Sequence, residues 1–284
     1  MKYPLLPLCV MLSLLTGCSA SARPLSTQLP TLEPDASPSS SPASTEYISP
    51  SASWWTHLDL NDLPSQKVDV TDQLPQEELF LLDELPEDDV SLYGYLSAGD
   101  TPSGILLRHG ATYTHFDQVF LSENNPIAPQ LWWMDPDGDG DQELAVYYVT
   151  DNNSSVFRSE FHLYEVSEEG WSDHALLPDT CQAVLLDALS CRWTDDGVTI
   201  QVGKRSLAFC TDELSPSVAQ NAPLTCGDRI FYRYDRGTFT GVYTIGFSSS
   251  DGEPVHVASL LADIAYDGSN ITLTNLRLEG YYGV

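Results

Sequence analysis

The sequence predicts a mainly β protein with a few packed helices. From Trp54 onward, short segments rich in β-branched and aromatic residues alternate apolar with polar side chains. Gly, Asp and Asn punctuate these segments, and only two stretches read better as helix. The chain has 284 residues, but its first fifth does not read as part of a folded domain. Roughly 230 residues remain for folding, which fits one large or two small domains.

Taken in order, Pro75 to Leu85 is expected as a helix, with Pro75 in the first turn, Glu77 and Glu78 at the positive end, and Leu79, Leu82 and Leu85 on one face. Pro86 then stops it. Strands are expected over 91–96, 104–108, 111–116, 131–134, 144–150 and 157–166, with His109-Gly110 as a hairpin turn between two of them. A second helix is expected over Pro178 to Leu189, apolar enough around Ala183–Leu186 to be buried. Further strands follow at 198–202, 230–234, 238–247 and 271–278, while 255–264 fits helix or strand.

Between two of these strands lies Asp135-Pro136-Asp137-Gly138-Asp139-Gly140-Asp141-Gln142-Glu143. Calcium takes six to eight hard oxygen ligands, and carboxylates at alternate positions of a tight loop can converge on one ion. Asp135, Asp137 and Asp139 have that spacing, Asp141 can offer its backbone carbonyl, and Glu143 can close the shell. Without a cation, three such aspartates repel one another. An EF-hand is not expected, because its twelfth loop position is Val146 here and a strand, not a helix, follows.

Strand, DxDGDGxxE, strand resembles the FG-GAP and VCBS calcium loops of integrin α-subunit propellers and many bacterial surface proteins. The resemblance implies calcium held by the side chains of Asp135, Asp137, Asp139 and Glu143 and by the main chain of Asp141. It covers about 25 residues and does not repeat along the chain. A propeller needs several blades of four strands, so one propeller-blade-like calcium hairpin within another β-rich fold is expected rather than a complete propeller.

The N-terminus supplies an address. Residues 1–17 have a basic start at Lys2 and an apolar stretch from Leu5 to Leu15, too short to span a bilayer and placed like a signal peptide. Leu15-Thr16-Gly17-Cys18 resembles the lipobox of bacterial lipoproteins, which implies lipidation at Cys18 and a lipid anchor on the extracytoplasmic face of the cell membrane. Residues 18–53, rich in Ser, Pro, Thr and Ala, are expected as a disordered stalk. Residues 54–284 are then the β-rich extracytoplasmic domain, with a subdivision near 170–178 as an open alternative.

There are 41 acidic and 12 basic residues, a net charge of −29, which disfavours nucleic acid as a partner because phosphate binding draws on clustered Lys and Arg. An acidic surface keeps the protein soluble and suits calcium outside the cell. Beyond Cys9 and Cys18, the remaining cysteines are Cys181, Cys191, Cys210 and Cys226. An even number in an exported domain suggests two disulfides, and spacing favours Cys181 with Cys191 and Cys210 with Cys226. Zinc is not expected, since no CxxC pair occurs.

Leu106-Leu107-Arg108-His109-Gly110-Ala111-Thr112 resembles the LxRHGxT signature of the histidine-phosphatase family, which would make His109 a phosphate-accepting nucleophile and Arg108 a phosphate clamp. That family needs a helical context and a second histidine and arginine. Here the motif runs from one expected strand into another, so a hairpin turn is the expected reading. No nucleophile elbow, zinc-protease motif, Walker loop or dinucleotide fingerprint occurs. A glycosidase-type carboxylate pair depends on spatial separation and cannot be located by sequence. Trp132-Trp133, beside the aspartate loop, is expected to pack, with Trp54-Trp55 as the other conspicuous aromatic pair. The sequence thus points to a non-catalytic surface lipoprotein with a calcium-stabilised β domain that binds an extracellular protein or glycan or serves in the envelope. An exported hydrolase is the alternative.

Overall fold

In a computed structural model, residues 59–71, 79–96, 102–167 and 170–281 are described. The signal region, Cys18, the Ser/Pro-rich segment and Trp54-Trp55 lie outside them, as does the 75–78 part of the first expected helix.

The described strands fall into antiparallel meanders that follow chain order. Strands β1 (Leu79–Leu85), β2 (Val90–Leu96), β3 (Pro102–His109) and β4 (Thr112–Phe116) form a four-stranded sheet in that order. Next come β5 (Gln130–Met134), β6 (Glu143–Asn152), β7 (Phe157–Ser167) and β8 (Gly170–Leu176), each paired to the one before. Helix α1 (Pro178–Ala188) leads into a three-stranded sheet of β9 (Leu189–Thr194), β10 (Gly197–Val202) and β11 (Arg205–Cys210). The last meander is β12 (Leu224–Asp235), β13 (Thr238–Phe247), β14 (Val255–Tyr266) and β15 (Ile271–Gly280). A single parallel bridge, Arg229↔Phe157, joins β12 to β7 and makes one eight-stranded open sheet of the second and last meanders. The fold is therefore mainly β, with neither a closed barrel nor a complete propeller among the described residues, and Ser51–Val284 forms one compact unit.

Two cores share the β6–β7 hairpin. Because side chains alternate across a strand, Leu144, Val146 and Tyr148 enter a cluster with Phe80, Leu92, Ile105 and Leu107 of the first sheet. Ala145, Tyr147 and Val149 enter a second with Leu185 of α1, Ile200 of β10, and Ile230, Tyr243 and Leu260 of the last meander. This explains why 144–149 is an unbroken apolar run: both faces of β6 are covered.

Both expected helices need correction. Leu79–Leu85 is a strand, not the end of a helix. Phe80 and Leu82 enter one core while Leu81 meets Tyr93 and Leu106 on the opposite face. A strand with pairing on β2 buries both sets, whereas a helix would present only one stripe. Helix α1 forms as expected, with Pro178 at its first position, but only Cys181 and Leu185, one turn apart, are buried, and Val184 is 55 % exposed. It lies on the sheet instead of being enclosed. The ambiguous segment 255–264 is strand, and β8, β9 and β11 were not expected. The His109-Gly110 turn is present, with Gly110 at φ +60° closing the β3–β4 hairpin.

Neither expected disulfide is present: the four cysteines are thiols, Cys181 and Cys226 buried, Cys191 and Cys210 exposed on β9 and β11. Burial, helped by Asp228 and Cys181, pushes the Cys226 thiol up to about 12. Under native conditions a thiol-alkylating reagent is expected to modify Cys191 and Cys210 first and to reach Cys181 and Cys226 only on unfolding. Peptide mass spectrometry checks the order, and equal rates for all four would contradict this packing.

A buried polar group ties β7 to β8. His162 is stacked on Tyr164, with Nδ1 2.9 Å from Asp173 and Nε2 3.3 Å from Glu160. Burial works to lower its pKa, but hydrogen bonds to Asp173 and Glu160 outweigh this and hold it above the ordinary value. A raised pKa stabilises the fold fully below the unfolded value of about 6.5, and the contribution is lost as pH climbs through the folded value. Replacing His162→Gln is expected to cost roughly 2 kcal/mol at pH 6 and clearly less at pH 9, measured by chemical denaturation.

Candidate metal centre

The β5–β6 hairpin ends its pairing at Met134↔Glu143, leaving Asp135–Gln142 as the connecting loop. The aspartates fold this loop by accepting backbone N–H groups. Asp135 takes Gly138 N at 2.6 Å on Oδ1 and Gly140 N at 3.1 Å on Oδ2. Asp137 takes Asp139 N at 3.3 Å, and Asp139 takes Asp141 N at 2.9 Å. Asp side chains favour such short-range turns. Gly138 and Gly140, at φ +78° and +103°, supply the left-handed backbone the coil requires.

This coil turns Asp135 and Asp137 toward Glu143, and one carboxylate oxygen from each of the three lies within 4.8 Å of the others. Asp139, whose Oδ1 accepts from Asp141 N, is not in that group. Of the four expected side-chain ligands, three are therefore gathered. Oxygen ligands from the main chain, such as Asp141, and from water would complete a calcium shell.

Glu143 is the informative member. Its side chain is buried, 3 % exposed, and Oε2 has no hydrogen-bond partner among the described residues. None of the five acidic residues 135, 137, 139, 141 and 143 takes part in a salt bridge there. Burial first, then Asp137, Asp139, Asp135 and Glu165, push the Glu143 carboxyl up to about 7. A buried carboxylate surrounded by carboxylates is costly, and a divalent cation reverses that cost.

Sequence reasoning missed the neighbours that pack on this loop. A Cβ added to Gly268, in the β14–β15 turn at φ +83°, would stand 3.0 Å from Asp137 Oδ2. Asp267 caps that turn through Ser269 N and Asn270 N. Tyr266 donates to Glu165 Oε2 at 3.2 Å, and His174 Nε2 lies 3.5 Å from the same oxygen. These residues are separated from the loop by many positions of chain, so no local pattern announces them.

The other candidate motif serves structure in what is described. Arg108 Nε donates to the Gly110 carbonyl at 2.8 Å, and Nη2 to Asp89 at 3.3 Å. His109 sits 5.3 Å from the Trp133 ring and 6.0 Å from that of Trp171. Trp132 packs edge-on against Phe239 at 5.1 Å. Both tryptophans beside the loop thus contribute to packing.

The raised pKa of Glu143 has a testable sign. A carboxyl whose folded pKa exceeds its unfolded value stabilises the fold below the unfolded pKa of about 4.5, and that contribution is lost as pH rises through about 7. In chelator at pH 8, Glu143→Gln is therefore expected to raise stability by roughly 1–3 kcal/mol. A loss of stability in the same denaturation experiment would contradict the geometry.

Compared with protein-family models, with curated proteins and with solved structures, the chain matches none, so the reading of this centre rests on its own residues.

Proposed function

We propose that this chain is a non-catalytic lipoprotein of a bacterial cell membrane, anchored through Cys18 with its domain on the extracytoplasmic face. A calcium ion at Asp135, Asp137 and Glu143 locks the β5–β6 loop of a domain that binds an extracellular protein or glycan. The single observation that carries the calcium reading is the unpartnered, buried Oε2 of Glu143 in reach of two aspartates. The address rests on the lipobox-like Leu15-Thr16-Gly17-Cys18 and the stalk-like composition after it. No helix among the described residues is long and apolar enough to cross a membrane.

Calcium suits this donor set better than zinc, because the ligands are hard oxygens without His or Cys. With only three carboxylates gathered, the affinity belongs to the range of extracellular modules, about 10⁻⁴–10⁻³ M, where ambient calcium fills weak sites. The role is structural: the ion offsets the repulsion among the clustered carboxylates and holds the loop beside the β14–β15 turn. Binding rather than hydrolysis is favoured because Arg108 is engaged by Asp89 and the Gly110 carbonyl, not presented to a phosphate.

Saturating calcium is expected to raise the melting temperature over that in chelator by roughly 5–10 °C at a hundredfold excess over Kd. Asp137→Ala abolishes the rise, and magnesium at equal concentration gives a smaller one. A native protein that melts identically with calcium and with chelator would sink the proposal.

A further inference from the structure

The three-stranded sheet carries a second feature, where the β9–β10 turn meets the segment that follows β11. Trp193 pairs with Val198 across β9 and β10, and neighbours in one cross-strand row share a face, so the indole stands on the side that Val198 buries in the core. Its ring centroid is 5.0 Å from that of Phe247, which fixes it in place. The segment after β11 is tied to the β9–β10 hairpin at two points. Thr211 N donates to the Asp196 carbonyl at 3.1 Å, and Gln220 Nε2 donates to the Thr194 carbonyl at 3.4 Å. Between hairpin and segment is a cavity of about 180 Å³, bordered by apolar Trp193, Leu214 and Val218 and by polar Asp195, Thr211 and Gln220.

The fold leaves most of the polar capacity of this lining unused. Asp195 and Thr211 are exposed, and neither side chain makes a hydrogen bond or ion pair among the described residues. The Trp193 indole N–H is neither buried nor hydrogen-bonded among them. Gln220 spends one amide N–H on the Thr194 carbonyl and keeps its own carbonyl oxygen. A carboxylate and an amide oxygen accept, an indole donates, and a hydroxyl does both. No lysine or arginine borders the cavity, and Asp196, Asp212 and Glu213 adjoin it in sequence, so the local field opposes an anion. Small-molecule sites combine apolar walls with a few directed polar groups, and at roughly 300–1,000 Å³ those for drug-sized ligands are larger than this one.

We infer that this cavity holds one pyranose ring of an extracellular glycan, with a C–H face on Trp193, Leu214 and Val218 and hydroxyls at Asp195, Thr211 and Gln220. A pyranose joins an apolar ring face to hydroxyls that each donate and accept, which is the complement of this lining. A ring with equatorial hydroxyls, as in the gluco configuration, offers the least obstructed C–H face to an apolar wall. Asp195 accepts from hydroxyls or from an amino group and repels a uronate. The volume suits one ring, and a folded protein segment would need a wider surface. This inference rests on the glycan branch of the proposed binding role and gives it a place. It does not depend on the calcium ion.

The test is an NMR titration of the full-length chain with methyl β-glucoside, methyl β-glucosaminide and methyl β-glucuronide. The expected result is saturable one-to-one binding of the glucoside in the millimolar range, the glucosaminide at least as tight, and the glucuronide at least tenfold weaker. Thr211→Phe, at an exposed position on the rim, fills the cavity and is expected to weaken the glucoside at least tenfold. Asp195→Asn is expected to bring the glucuronide within threefold of the glucoside. An unchanged circular dichroism spectrum and melting temperature show that each variant is folded, and Gln220→Trp serves as a second filling variant should Thr211→Phe fail that check. Glucoside binding that survives the filling variant would overturn this site while leaving the glycan reading, now placed elsewhere on the domain. No saturable binding to the native chain, or a glucuronide as tight as the glucoside, would overturn the inference outright, and the calcium-dependent melting shift reports separately on the metal centre.

Discussion

Strand β6 must be covered on both faces, and the arrangement of the other described sheets follows from that constraint. Leu144, Val146 and Tyr148 need one partner layer, which the first meander provides. Ala145, Tyr147 and Val149 need another, provided by the last meander with α1 and β10. Burying an aliphatic or aromatic side chain of this size stabilises by roughly 1.5–3 kcal/mol. Five such side chains, with the smaller Ala145 among them, make the loss of either layer costly at β6. The β6–β7 pairing is accordingly long and almost continuous, with one irregularity between Val149 and Asp151.

The aspartate loop takes its leverage from the same strand. Glu143 is the first residue of β6, so the rigid end of a doubly covered strand holds its carboxylate buried. Asp135 and Asp137 reach it only because the loop is coiled by its own side-chain-to-backbone hydrogen bonds. Glycines at positions 138 and 140 allow that coil. The site is thus half rigid and half adaptable. Asp137 Oδ2 lies close enough to Gly268 that a side chain there would crowd it, so the β14–β15 turn of a different meander flanks the loop.

Carboxylates converge at the β5–β6 loop, with Glu165 nearby. A net charge of −29 makes the acidic site unremarkable as a surface but costly where Glu143 is buried.

By itself the sequence determined the class and the loop. Period-two alternation is local, so most strands from Val90 to Gly280 were legible from residue type and spacing, as were α1 and the β3–β4 turn. The DxDGDGxxE spacing marked Asp135, Asp137 and Glu143 because an Asx-capped coil is built within nine residues. Only the tertiary structure decided what depends on distant partners. Leu79–Leu85 fits a helical stripe and a two-sided strand equally well, and pairing with β2 chose the strand. The exposure of α1 depended on how much sheet it met. That Asp135 and Asp137, but not Asp139, come within reach of the buried Glu143 carboxylate was set by the folded loop, and the nearness of Glu165 and Gly268 by approaches across long stretches of chain. Local chemistry writes turns and strands into neighbouring residues, whereas burial, pairing and field are properties of surfaces that exist only once the chain has folded.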